Sequence, residues 1–244
     1  MKENSEKAEI LKELSTLQET TKPECVVKSG QPVVGYFCSF VPAELLLAAG
    51  LYPLRLNGLG IEDSSSGDAY MSHLTCSFAR HIIAAVLDGH YDYLAGQISL
   101  NTCDHIRRAN DALIYKSDLD FHGYISVPRS FRNGLFPWYL EELARLKKSL
   151  EEHFKVEITD DALNKAITLI NQVRDRIKKL DQLRRAEPPR LSGAEMLTAT
   201  VGARILPPLE FVKMADQLIP AAKASEPISG IRARLVLTGG PLDD

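Results

Sequence analysis

Three cysteines stand where a thiol can do chemistry. Cys103 lies in Tyr93-Leu-Ala-Gly-Gln-Ile-Ser-Leu-Asn-Thr-Cys-Asp-His-Ile-Arg-Arg108, which reads as a short buried strand, a tight turn and the first turn of a helix. Unpaired N–H groups and the dipole of a helix start favour negative charge, so a thiol there is a metal ligand or a nucleophile in waiting. Cys76, in Ser72-His-Leu-Thr-Cys-Ser-Phe-Ala-Arg80, opens a second apolar helical run through Phe78, Ile82, Ile83, Val86 and Leu87. The same device used twice points to a shared site. Cys38 directly follows the apolar run Val33-Val-Gly-Tyr-Phe37. The alternative for any of these residues, and the reading for Cys25, is that a free cysteine is a small buried hydrophobe.

Elements that deliver such residues follow from the periodicity. The runs 33–37, 51–56, the segment before Cys103 and 121–127 read as short buried strands, and helical patterns occupy 42–50, 76–89 and 103–115. Strands alternating with helices imply an α/β fold with a parallel, Rossmann-like sheet covered on both faces. In such sheets ligands bind beyond the carboxyl ends of the strands, where helix starts point. Cys38, Cys76 and Cys103 all fall on that edge, and three converging thiolates suit an iron–sulfur cluster or zinc. No C-x-x-C pair is present, so the fold and not a local loop must assemble the site.

Four units are expected. Residues 1–22 carry an N-terminal helical clamp with Ala8, Leu11, Leu14 and Leu17 on one side; 23–136 form the α/β domain with the cysteines. Residues 137–230 are helical. They include a helix capped at Thr159 whose stripe runs through Leu163, Ile167, Ile170, Val173, Ile177, Leu180 and Leu183, and a capping box at Ser192 and Glu195. That stripe packs on the chain's own sheet domain or, alternatively, on a coiled-coil partner. Residues 231–244 read as the first strand of a second α/β domain running into a Gly239-Gly-Pro turn, which suggests an incomplete protein.

Composition limits the partners. The 244 residues are 45% hydrophobic and 25% charged, with a net charge of -3 and Lys and Arg scattered among Asp and Glu. This pattern disfavours nucleic acid and anionic membranes. No apolar run approaches the ~18 residues of a membrane span, and the polar start lacks a signal-peptide core, so a cytoplasmic protein with reduced cysteines is expected.

The segment Gly35-Tyr-Phe-Cys-Ser-Phe-Val-Pro-Ala-Glu44 and onward to Arg55, the Cys76-Ser-Phe-Ala-Arg80 motif and Asn101-Thr-Cys-Asp-His-Ile-Arg-Arg108 resemble the 2-hydroxyacyl-CoA dehydratase D-component family. That family also includes benzoyl-CoA reductase subunits and double-cubane cluster proteins. The resemblance runs from about Val33 to Asp244 and implies two α/β domains around a [4Fe-4S] cluster, with Cys76 and Cys103 as ligands. The third family cysteine lies in the second domain, so Cys38 is either a substitute, a ligand of a larger iron–sulfur cluster, or a packed thiol. Glu44, in Val41-Pro-Ala-Glu44, matches a catalytic glutamate that removes a proton in the loss of water; otherwise it serves the helix dipole. The resemblance further implies radical chemistry on an acyl-CoA thioester, a homologous second subunit in a heterodimer or a homodimer, and an ATP-dependent activator protein as electron donor. The alternative is a non-catalytic scaffold or partner subunit. Arg107 or Arg108 meets a CoA phosphate or pairs with an Asp such as Asp104 on a solvated helix face. His73, His81 and His105 read as helix-face histidines or as members of a mixed metal site.

Overall fold

Runs of apolar, β-branched residues too short for helices become strands buried on both faces, and the amphipathic segments between them cover the sheet. The computed structural model describes residues 2–130 and 134–239. Along the chain come α1 (Lys2–Thr16), α2 (Glu24–Lys28), β1 (Val33–Tyr36), α3 (Ala43–Ala48), β2 (Tyr52–Arg55), α4 (Ser65–Asp68) and α5 (Ser77–Leu87). They are followed by β3 (Leu94–Leu100), α6 (Asp104–Lys116), β4 (His122–Ile125), α7 (Leu135–Phe154), α8 (Asp160–Arg185), α9 (Gly193–Ile205) and α10 (Pro208–Ala224). The α/β expectation holds: the four strands form one parallel sheet in the order β2-β1-β3-β4.

Alternation along the strands divides the core. Val33 and Phe37 join Phe78, Ile82 and Ile83 of α5 and Ile106 and Leu113 of α6 on one face. Val34 and Tyr36 join Leu45 and Leu46 of α3, Ile98 and Leu100 of β3, and Leu146 and Leu150 of α7 on the other. The chain leaves β1 outward to β2, then crosses to β3 on the opposite side of β1. The boundary between β1 and β3 is therefore the switch point, the place where open parallel sheets form a crevice at their carboxyl ends.

A further apolar group joins α1, α8, α9 and α10 through Leu14, Leu180, Ala199, Phe211 and Leu218. The α8 stripe packs mainly on α10 and also on α9 and α3, so its partners are this chain's own helices and only in part those of the sheet. The capping box at α9 forms as read: Glu195 N–H donates to Ser192 Oγ at 3.1 Å, and Ser192 N–H donates to Glu195 Oε2 at 2.7 Å. Residues 231–238 make no strand and leave Leu235, Val236 and Leu237 exposed. A strand needs a hydrogen-bonded neighbour, and none lies beside this segment among the described residues. The expected turn continues at Gly240 and Pro241, outside the described residues. No described helix is long and apolar enough to cross a membrane.

Candidate metal centre at the carboxyl edge of the sheet

Both helix-start cysteines are N-caps. Cys103 precedes α6 with extended backbone, is exposed, and its Sγ accepts the Ile106 N–H at 3.5 Å. Cys76 occupies the same position before α5 and is half-buried. One hydrogen bond ties the two starts together: the Cys76 backbone N–H donates to His105 Nδ1 at 3.2 Å. His105 is the second residue of α6, so it positions the neighbouring cap, a role more specific than the helix-face reading. An accepting Nδ1 places the ring proton on Nε2 in the neutral form.

Arg80, one helical turn after Cys76, fixes the loop that delivers it. Its Nη1 donates to both Asp68 carboxylate oxygens at 2.8 and 2.9 Å, and its Nε donates to the Thr75 carbonyl at 3.2 Å. Gly67 permits this closure, since a Cβ there would lie 2.3 Å from the Arg80 carbonyl oxygen. Sequence reasoning misses Asp68 and Gly67 as site residues. Their only sequence signal is the arginine four positions after a capping cysteine.

Cys38 and Glu44 sit elsewhere. Past β1 the side chains still alternate, so Cys38 packs with the α3 and α7 face while Cys76 packs with the α5 and α6 face. The expected convergence of the three thiols is corrected accordingly. Among the described residues no group of three or more His, Cys, Asp or Glu side chains is placed to hold a metal ion. Glu44, in the first turn of α3, is mostly buried and receives Arg174 Nη2 of α8 at 2.7 Å. Tyr36 feels both acidic neighbours: burial pushes its hydroxyl pKa up, Arg55 and Arg204 pull it down, and the charges of Glu44 and Cys38 push it up further. The edge thus carries two separate groupings, Cys76 with His105 and Cys103 on one side, and Cys38 with Tyr36 and Glu44 on the other.

The remaining candidates resolve as structure. Arg107 pairs with Asp104 at 3.4 Å and Arg108 with Asp111 at 3.3 Å, on the solvated helix face. His81 Nδ1 meets the Ser77 carbonyl at 2.9 Å, and His73 is exposed. Cys25 packs against both the sheet and helical cores beside the Tyr52 hydroxyl, and burial pushes its thiol pKa up.

Donor chemistry at the paired caps fits two corners of an iron–sulfur cluster: both atoms are thiol sulfurs at helix starts, at the switch-point end of the sheet. The sequence profile described as 2-hydroxyglutaryl-CoA dehydratase, D-component, matches residues 38–244. A benzoyl-CoA reductase subunit of Thauera aromatica is 28% identical over 209 residues, 85% of this chain and 54% of that protein. The (R)-phenyllactyl-CoA dehydratase beta subunit of Clostridium sporogenes is 25% identical over 216 residues, 87% of this chain and 57% of that protein. The beta subunit of (R)-2-hydroxyglutaryl-CoA dehydratase of Acidaminococcus fermentans is 26% identical over 181 residues, 72% of this chain and 46% of that protein. The chain spans about half the length of the curated relatives it matches.

Proposed function

Because the chain belongs to the 2-hydroxyglutaryl-CoA dehydratase, D-component, family, we propose that it is an iron–sulfur subunit of a 2-hydroxyacyl-CoA dehydratase or benzoyl-CoA reductase type of enzyme. The observation that carries the reading is the bond from the Cys76 N–H to His105 Nδ1, which joins two cysteine-capped helices at the carboxyl edge of the sheet. Cys76 and Cys103 would hold a [4Fe-4S] cluster, with further corners filled by donors outside the described residues. Such a group, when bound, supplies single low-potential electrons to the carbonyl of an acyl-CoA thioester. This chain's residues do the positioning. His105 and Arg80 fix the caps, the helix starts stabilise thiolate charge, and Glu44, oriented by Arg174, takes the substrate proton in the loss of water.

A homologous second subunit, in keeping with the subunit names of the relatives, and an ATP-dependent activator protein as electron donor complete the proposal. Anaerobic reconstitution with iron and sulfide tests it through metal content and visible absorption, without relying on activity. Cys76→Ala and Cys103→Ala each lose most of the bound iron, and Cys38→Ala retains it. Equal iron in wild type and both helix-cap variants removes these ligands from the proposal. A folded wild-type chain that binds no iron leaves the non-catalytic partner-subunit reading in its place.

A further inference from the structure

Past Leu100 and Ile125 the strands β3 and β4 part, β3 turning into α6 and β4 into the loop ahead of α7. Rungs of a parallel pair are evenly spaced, so the next one can be placed. Gln97 N–H donates to the Phe121 carbonyl at 2.9 Å, which sets the Gln97 carbonyl against the Gly123 N–H. Two steps further, the rung due is Val127 N–H to the Asn101 carbonyl.

That rung is made by a side chain instead. Val127 N–H donates to Asn101 Oδ1 at 2.7 Å, while the Asn101 carbonyl faces Arg129, whose Nη2 lies 3.5 Å away. Asparagine competes with the backbone for such bonds because its amide oxygen sits close to the main chain. Asn101 thus keeps β4 attached while its own main chain leaves the sheet, two residues before Cys103. There the chain becomes the extended cap whose Sγ accepts the Ile106 N–H.

The far side of the loop is held by α7. Glu142 Oε2 accepts the Ser126 N–H at 2.9 Å and Arg145 Nη2 at 2.6 Å, and Arg145 also donates to the Tyr124 carbonyl at 3.3 Å. Val127 is itself packed against the core shared by α3 and α7. Asn101 therefore grips a fixed point, not a free loop. Arg80 serves Cys76 in the same way, by tying its loop to Asp68 and Thr75, but those bonds do not reach the Cys103 turn.

We infer that Asn101 is a positioning residue for Cys103, resting on the functional reading above for what the thiol holds. The side-chain rung fixes where the turn leaves the sheet, and hence where the α6 cap presents its sulfur. Partners one shell out from a metal ligand typically account for about ten- to hundredfold in metal affinity.

Three full-length variants test this. Asn101→Ala removes the rung, Asn101→Asp keeps the oxygen acceptor, and Glu142→Ala loosens only the far side of the loop. In the metal-free chain, amide hydrogen exchange reports on both caps: Ile106 N–H for Cys103, and Arg80 N–H, which donates to the Cys76 carbonyl, for Cys76. Asn101→Ala speeds exchange at Ile106 about three- to tenfold, the loss of one hydrogen bond, and leaves Arg80 unchanged. Asn101→Asp matches wild type at both, and Glu142→Ala moves Ile106 in the same direction by less. After anaerobic reconstitution, Asn101→Ala gives up iron to a chelator about ten- to hundredfold more readily, and Asn101→Asp does not. Unchanged exchange at Ile106 in Asn101→Ala and Glu142→Ala overturns the inference. So does an equal rise at Ile106 and Arg80, since a merely structural role loosens both caps together. Iron held by Asn101→Ala as firmly as by wild type overturns it as well. Faster exchange at Ile106 alone in a chain that takes up no iron upholds the positioning of Cys103 while removing the cluster; iron uptake with unchanged Ile106 exchange does the reverse.

Discussion

Gln97 spends both amide protons, one on Asn110 Oδ1 at 2.9 Å and the other on His122 Nδ1 at 3.0 Å. The second contact needs His122 neutral, with Nδ1 as acceptor. Burial lowers the His122 pKa from 6.5, against a smaller opposing contribution from the Leu119 backbone. The unfolded chain therefore takes up this proton before the folded one does. Stability from the site is complete above pH 6.5 and is lost as pH falls through the interval down to the depressed folded value. His122→Gln keeps an oxygen acceptor but cannot titrate, so its thermal midpoint falls less than wild type between about pH 7.5 and about pH 5. Equal slopes for the two proteins would dismiss His122 as the source. Cys76 and Cys103 were legible from their flanks because an N-cap is a local feature, set by the apolar helix that follows. The buried polar pair Gln97 and Ser99 was not: their strand reads as uniformly buried, and its polar face emerges only when β4 adds His122 and Tyr124 in register.

At the scale of elements, strands and helices with strong periodicity were readable to within a few residues, whereas α2 and α4 were not. Each is about a turn long, and α4 is the sequence Ser-Ser-Gly-Asp, with no apolar period to detect. Residues 231–238 failed in the opposite sense, since β propensity is present and a neighbouring strand is absent among the described residues. The short α4 nevertheless controls how Cys76 is presented. It lies on α5 through Gly67, and its Asp68 grips Arg80. Gly67→Ala places a methyl carbon 2.3 Å from the Arg80 carbonyl oxygen and 3.0 Å from the Ala84 nitrogen, both backbone atoms that cannot swing aside. The expected cost is ~1–3 kcal/mol as α4 is forced off α5. Chemical denaturation measures that cost, and thiol-reagent kinetics report faster labelling of Cys76 with little change at Cys103. A variant as stable as wild type, with unaltered Cys76 labelling, would mean that the loop is not held by this contact.

Across the whole molecule, the sheet and the helical layer are joined by specific bonds as well as by packing. Arg174 of α8 reaches Glu44 of α3, the Tyr52 hydroxyl of β2 donates to the Ile205 carbonyl at the end of α9, and Cys25 touches both cores. Burial raises the Tyr52 pKa, which keeps the hydroxyl protonated and donating. Trp138, the single tryptophan, lies on α7, which packs against β4, whereas α1, α8, α9 and α10 of the helical layer together hold more than half of the described helical residues. If these ties make one cooperative unit, urea unfolding followed by Trp138 fluorescence and by far-ultraviolet circular dichroism gives coincident curves. Tyr52→Phe leaves the Ile205 carbonyl without its buried donor, at a cost of ~1–3 kcal/mol. Because the bond joins the two layers, both curves should move to lower urea together. A shift confined to circular dichroism would show the helical layer melting apart from the sheet. Glu44 would then be held by Arg174 only while that layer stayed folded, so loss of this ion pair would precede loss of the cysteine-capped edge.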